Sequence, residues 1–166
     1  MVYLDTYMND ILTKIYADQN LCKYLLYDSP NPLALATISD TKVLYDNKDN
    51  QRIYDTPFNV GIVNNDFTTL TINVNDATLD KSIYYKNIEI EFFVICSYRN
   101  WNLNSASGVS ALRPNAIITE LMELFSREHT VGIGNNHLGR LQKLYPTENV
   151  GGYRLTFKGM DFITNT

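Results

Sequence analysis

The chain has 166 residues, 45% of them hydrophobic and 19% charged, so its composition is that of a folded domain and excludes a wholly disordered chain. Its formal net charge is −4, and no two Lys or Arg residues are adjacent, which argues against a surface that grips nucleic-acid phosphates. No apolar run is long enough to span a bilayer, and the N-terminus lacks a signal-peptide pattern. We expect a soluble protein that is made and kept in the cytoplasm, without membrane contact.

The N-terminal stretch, residues 3–28, carries apolar side chains at the three- and four-residue spacing of an amphipathic helix. A break is expected near Asp18–Asn20, where polar residues interrupt the pattern. Cys22 lies on this apolar face and Cys96 on that of a later strand, so we expect two buried thiols rather than a disulfide. The helical apolar positions are Leu4, Met8, Ile11, Leu12, Ile15, Leu21, Cys22, Leu25 and Leu26.

Residues 28–58 contain three prolines and many Asp and Asn residues, which predicts an extended loop or insertion. Connections of this length are uncommon in compact domains and are often functional. The segment is therefore a candidate for contact with a partner, and a surface insertion without such a role is the open alternative. The side chains that could anchor on a neighbour are Tyr45, Ile53, Tyr54 and Phe58.

Three stretches after this loop read as strands. Residues 60–63 and 69–75 are short candidates bounded by turn-forming residues. The stretch Ser82–Tyr98 alternates with a period of two, which predicts a strand about three times the usual length of five or six residues. One of its faces is apolar, and the other changes from Glu89 and Glu91 to Phe93 and Ile95. The apolar row is Ile88, Ile90, Phe92, Val94, Cys96 and Tyr98.

The C-terminal part predicts a second helix and a hairpin. Pro114 suits the first turn of the helix, and Gly132 is a plausible stop. Two alternating runs joined by "PTENVGG" then predict a terminal antiparallel hairpin. We predict one α+β domain over residues 1–166. It has a single antiparallel-rich sheet with two main helices packed on one face, a long loop insertion and the terminal β-hairpin.

The sequence contains no recognisable catalytic or metal-binding constellation. Glu89 and Glu91 lie about 7 Å apart on one strand face and point the same way, which favours a solvated pair over a hydrolase site. His129 and His137 are too widely spaced to form a metal motif. Gly132 and Gly134 precede a predicted strand rather than a helix, which argues against a phosphate-binding loop. We predict no catalysis, no metal and no cofactor.

The second half of the chain resembles the neck and tail-completion subunits of tailed bacteriophages, most closely the tail-terminator and head–tail joining group. In that group a long strand follows an early helix, an Arg-Pro or similar pair opens a second helix, and the last strand has an aromatic-rich ending. The resemblance covers residues 50–163 as an order of elements and residues 112–162 more closely. Its matching residues are Arg113, Pro114, Gly152, Tyr153, Leu155, Phe157, Asp161 and Phe162.

The resemblance implies a structural subunit of the virion that forms a ring, with six copies in a tail terminator or twelve in a connector beside the portal. Its partners would be further copies, tail-tube proteins and neck connector proteins, and DNA would pass through the lumen without specific binding. Residues 28–58 are longer than in the plainest members of the group, which leaves the neck position open. The net charge of −4 is compatible with such a channel, because weak repulsion keeps DNA from sticking.

The ring suggests a role for the long strand. Phe93 and Ile95 would meet a neighbouring subunit, and Glu89 and Glu91 would face the lumen or solvent. The alternative is that the chain's own 28–58 segment covers Phe93 and Ile95. Two other classes of function also stay open, namely an enzyme that uses the acidic strand face and a regulatory module that binds a single partner.

Overall fold

The structure, a computed structural model, describes residues 4–58, 66–79, 85–104, 111–125 and 137–160. Its α-helices are α1 (Leu4–Ala17), α2 (Gln19–Leu26), α3 (Val43–Asp46) and α4 (Arg113–Phe125). Its strands are β1 (Ile53–Tyr54), β2 (Thr69–Leu79), β3 (Tyr85–Ser97), β4 (Asn102–Leu103), β5 (Ala111–Leu112), β6 (His137–Thr147) and β7 (Val150–Met160). Short 3-10 helices span Pro32–Ala34 and Tyr98–Asn100.

Five of the strands form one sheet in the order β1-β2-β3-β7-β6, and helices pack against it. The pair β1–β2 is parallel, whereas β2–β3, β3–β7 and β6–β7 are antiparallel. The predicted α+β class and the mostly antiparallel sheet are confirmed. A second, small sheet of β4 and β5 was not predicted, since two-residue strands leave no periodic signal.

The predicted break in the N-terminal helix lies at Asp18, which caps the second helix. Asp18 has an extended backbone, and its carboxylate accepts a hydrogen bond of 2.9 Å from the backbone N–H of Leu21. A capping carboxylate satisfies one of the N–H groups that a helix start leaves without a partner. The polar interruption in the sequence is therefore the start of α2.

The core lies between the helices and the apolar row of β3. From Ile88 to Cys96 the even-numbered side chains are at most 1% exposed, as predicted, and the Phe92 ring lies 5.1 Å from that of Phe125 on α4. The row ends there, because Tyr98 begins a 3-10 helix and is 41% exposed. Cys22 and Cys96 are free and buried, as predicted, and burial raises the pKa of each thiol to about 12.

The 28–58 segment is folded onto the core rather than extended along the surface. Ile38, Leu44 and Ile53 are buried members of the core cluster. The Gln19 side chain of α2 donates to the backbone carbonyl of Ile38 at 3.0 Å and accepts from its N–H at 3.1 Å. These contacts join residues far apart in sequence, which is why local pattern predicted a loop.

Some predicted features lie outside the described residues. These are the strand at 60–63, the region of His129, Gly132 and Gly134, and the terminal Asp161 and Phe162.

The predicted terminal hairpin is formed by β6 and β7. Its turn is shorter than predicted, because Thr147 and Val150 are already paired and only Glu148 and Asn149 connect the strands. Gly152 on β7 pairs with Ile95 on β3. A Cβ atom at Gly152 would lie 1.8 Å from the carbonyl oxygen of Val94, so β7 can approach β3 this closely only with glycine there.

We expect Gly152→Ala to lower the free energy of unfolding by about 3 kcal/mol, the upper end of the overpacking range, because a rigid strand backbone must move. Gly139→Ala is the matched control on β6, where an added Cβ would lie 2.9 Å from the Lys158 Cγ and 3.1 Å from the Thr156 carbonyl oxygen, a much milder overlap than at Gly152. Urea unfolding monitored by circular dichroism compares the two. Equal midpoints for both variants would contradict the close approach of β7 to β3.

Candidate interaction surfaces

The sheet face opposite the main core carries the acidic and aromatic side chains that the sequence singled out. The register places Asn73, Glu91 and Thr156 in one row across β2, β3 and β7. The next row contains Phe93 and Arg154, which face each other across β3 and β7. This arrangement brings cations from β7 to the acidic side chains of β3.

Glu91 is buried, at 2% exposure, whereas the sequence predicted a lumen- or solvent-facing carboxylate. It forms an ion pair with Arg154, and the Asn73 side-chain amide donates to its other oxygen at 3.4 Å. A carboxylate can be buried at this position because a cation on the neighbouring strand offsets its loss of hydration. In the chain itself, then, Glu91 is part of an internal ion pair.

Glu89 is half-buried one step further along the same face. Its carboxylate accepts from the Asn75 amide at 3.2 Å and lies 3.1 Å from Lys158 Nζ. Burial alone would raise the pKa of Glu89, but the hydrogen bonds from Asn75 and Lys158 outweigh it, and the pKa is lowered. Both predicted acidic residues thus have a cationic partner on β7.

The aromatic part of this face is covered from within the chain. The Phe58 ring stacks on the Phe93 ring with centroids 4.5 Å apart and planes within 1° of parallel. Phe93 is 9% exposed and Ile95 only 1%. For Phe93 the structure therefore matches the alternative in which the 28–58 segment covers this face. A neighbouring subunit could reach the Phe93 ring only after Phe58 moves aside.

We expect Phe58→Ala to lower the free energy of unfolding by about 2 kcal/mol, since it removes a half-buried ring and the stacking contact with Phe93. Leu33→Ala is a matched control, because Leu33 is 41% exposed and lies outside the core cluster. Chemical denaturation measures both. A loss for Phe58→Ala no larger than for Leu33→Ala would mean that the stack does not hold the segment on the sheet.

The other predicted anchors of the 28–58 segment differ in exposure. Ile53 is fully buried in the core cluster. Tyr45 and Tyr54 are half-buried, and the Tyr45 hydroxyl donates a 2.7 Å hydrogen bond to Asp55. This bond, helped by burial, raises the pKa of Tyr45 to about 12. Of the four predicted anchors, Tyr45, Tyr54 and Phe58 therefore keep exposed surface with which a partner could make contact.

The position of strand β6 at the end of the sheet is the feature that sequence reasoning missed. It has 11 residues and lies at the end of the sheet, where it pairs with β7 and with no other described strand. Leu141 is 49% exposed and Tyr145 69%, and Arg140 and Lys143 are exposed as well. Alternation predicted the hairpin, but which of its strands ends the sheet depends on tertiary pairing. Long open edges with apolar side chains are surfaces that pair with other chains.

Arg113 is fully buried, without an acidic residue within ion-pair distance among the described residues. Its guanidinium donates to four backbone carbonyls, those of Asn100, Tyr24, Tyr27 and Ser29, at 2.5–2.8 Å. Two of these carbonyls, of Tyr24 and Tyr27, lie at the C-terminal end of α2, the end of a helix that attracts a cation. Arg113 therefore joins the start of α4 to the end of α2 and to the segment before β4.

Two kinds of feature, a cluster of metal ligands and a membrane-spanning helix, are absent from the parts of the chain that the structure describes. No group of three or more His, Cys, Asp or Glu side chains there could hold a metal ion. No helix among the described residues is long and apolar enough to cross a membrane. The β6 edge and the exposed part of the 28–58 segment are the candidate interaction surfaces.

Comparisons with known proteins identify a family. Searches of the curated proteins and of the solved structures each found no match. A family model described as YomW matches residues 18–159, from the cap of α2 almost to the end of β7. This span is most of the chain and includes the five-strand sheet except Met160 at the end of β7. The chain is therefore a member of the YomW family.

Proposed function

We propose that the chain is a structural subunit of a tailed-bacteriophage virion, located at the neck or the tail end. Its copies form a ring that ends the tail tube or joins it to the head connector, and DNA passes through the lumen. The observation that carries this proposal is the 11-residue strand β6, which pairs only with β7 among the described strands and exposes Leu141 and Tyr145. An edge of this kind fits a chain that works through contacts with other chains.

The resemblance of residues 112–162 to tail-completion subunits supports contacts of this kind at the neck or tail end of a virion. A tail terminator would contain six copies, and a connector beside the portal, the second position that we consider, would contain twelve. The net charge of −4 suits a lumen wall that DNA passes without being held. We do not extend the proposal to catalysis, because Glu89 and Glu91 already have cationic partners on β7.

Native mass spectrometry over a concentration series tests the proposal. A ring of six copies has a mass of about 114 kDa and a ring of twelve about 228 kDa, as multiples of the 19.0 kDa chain. Either species supports the ring and also distinguishes the two neck positions. The series is repeated with purified tail tubes, because some completion proteins assemble only on their partner.

Two results would overturn the proposal. A chain that stays monomeric at every concentration, with and without tail tubes, is not a ring subunit. A stable one-to-one complex with an unrelated cytoplasmic protein, in the absence of any closed ring, would instead favour the partner-binding module.

A further inference from the structure

The two ends of the sheet carry opposite charge. At one end, the described side chains of β6 include exposed Arg140 and Lys143 and no Asp or Glu. At the other end, β1 and the neighbouring α3 form what we call the acidic corner, residues 40–55. Its exposed charged side chains are four acidic and two basic, namely Asp40, Asp46, Asp49, Asp55, Lys42 and Lys48.

We propose that the β6 edge of one copy docks on the acidic corner of the next copy. The inference rests on the proposed ring and names the two surfaces that would close it. Because β1 and β6 end the same sheet on opposite sides, the contact joins two different surfaces of identical chains. Repetition of such a contact about an axis builds a ring rather than a symmetric dimer.

Apolar surface is present on both sides of the proposed contact. The β6 edge offers Leu141 and Tyr145, which are the most exposed of the large hydrophobic side chains that the structure describes. The acidic corner offers the half-buried rings of Tyr45 and Tyr54. The Tyr45 hydroxyl donates to Asp55, and the negative charges of Asp55 and Asp46 both contribute to the raised pKa of Tyr45. Negative charge therefore lies beside an aromatic ring. Tyrosine is enriched at subunit contacts, where charged side chains commonly surround an apolar centre.

The acidic corner of a second copy fits the β6 edge better than a second β6 edge does. Two β6 strands facing each other would bring Arg140 and Lys143 of one copy against those of another, and like charges across an interface oppose binding. The acidic corner supplies the opposite sign instead. Charge and the positions of the two surfaces in one sheet therefore favour a second copy of the chain as the partner.

Charge reversal tests this contact. Arg140→Glu with Lys143→Glu reverses the β6 edge, and Asp46→Lys with Asp49→Lys reverses the acidic corner. We expect each pair to weaken ring formation by about tenfold or more. Mixing the two variants should restore assembly, because each presents one reversed surface to the other. The control is Arg140→Lys with Lys143→Arg, which keeps the charge and should assemble like the wild type.

Sedimentation velocity over a concentration series, with circular dichroism as the folding control, gives the readout. If the wild type forms rings and the reversed variants form them equally well, the inference fails and the proposed function stands. If both reversals weaken assembly but their mixture does not recover, the two surfaces do not meet. A wild type that never associates, even on tail tubes, overturns the proposed function itself.

Discussion

Replacing Arg113 with methionine should lower the free energy of unfolding by about 4 kcal/mol, a loss found only where a buried network is broken. The variant keeps most of the aliphatic volume but leaves the carbonyls of Asn100, Tyr24, Tyr27 and Ser29 without their charged donor. A buried acceptor without a partner costs about 1–3 kcal/mol, and such losses do not simply add. Urea unfolding measures the change. The dependence of the free energy of unfolding on urea concentration is compared with that of the wild type.

Arg99→Met is the matched control for this prediction. The Arg99 side chain is 82% exposed and lies 3.2 Å from Asp66, so its removal should change stability by less than about 1 kcal/mol. The free energy of unfolding of Arg113→Lys should lie between those of the two methionine variants. A single ammonium keeps the charge but cannot aim at four carbonyls that lie in different directions. If Arg113→Met costs no more than Arg99→Met, the four hydrogen bonds contribute nothing to stability.

Local signals in the sequence predicted much of the fold. The two-residue period of β3 identified the buried row, and the polar residues around Asp18 marked the start of α2. The hairpin of β6 and β7 followed from two alternating runs and a turn. Each of these features depends on side chains that are neighbours along the chain, which is the range over which periodicity and capping act.

Features that depend on tertiary register could not be predicted. Nothing near residues 28–58 shows that Gln19 will bind the backbone of Ile38. Likewise, the position of Glu91 opposite the core predicted a solvated carboxylate, because the register that brings Arg154 beside it is set by β7. The sequence likewise identifies Arg113 only as part of a helix start, because the carbonyls that it binds belong to distant parts of the chain.

The candidate surfaces also divide into features that local sequence predicted and features that depend on tertiary pairing. The sequence identified Tyr45, Tyr54 and Phe58 as aromatic residues in a polar segment, and these keep some exposed area. It also proposed Ile53 and Ile95, which the structure buries. Composition can predict which residues are able to make contacts, but only the strand order reveals that β6 ends the sheet and leaves Tyr145 exposed.

Arg154→Met should lower the free energy of unfolding by about 3 kcal/mol, because it leaves the Glu91 carboxylate buried with the Asn73 amide as its one remaining partner among the described residues. The Arg154 side chain is 34% exposed, so we expect the lower end of the range for breaking a buried pair.

Two further variants separate the ion pair from its surroundings. Lys158→Met removes the cation from the more exposed pair with Glu89, with side chains 61% and 19% exposed, and should cost less than about 1 kcal/mol. The double variant Glu91→Leu with Arg154→Met should recover most of the loss, because neither charge of this pair then remains buried without the other. Failure to recover would show that Arg154 stabilises the fold through its packing near the Phe93 ring, 5.7 Å away, rather than by neutralising Glu91.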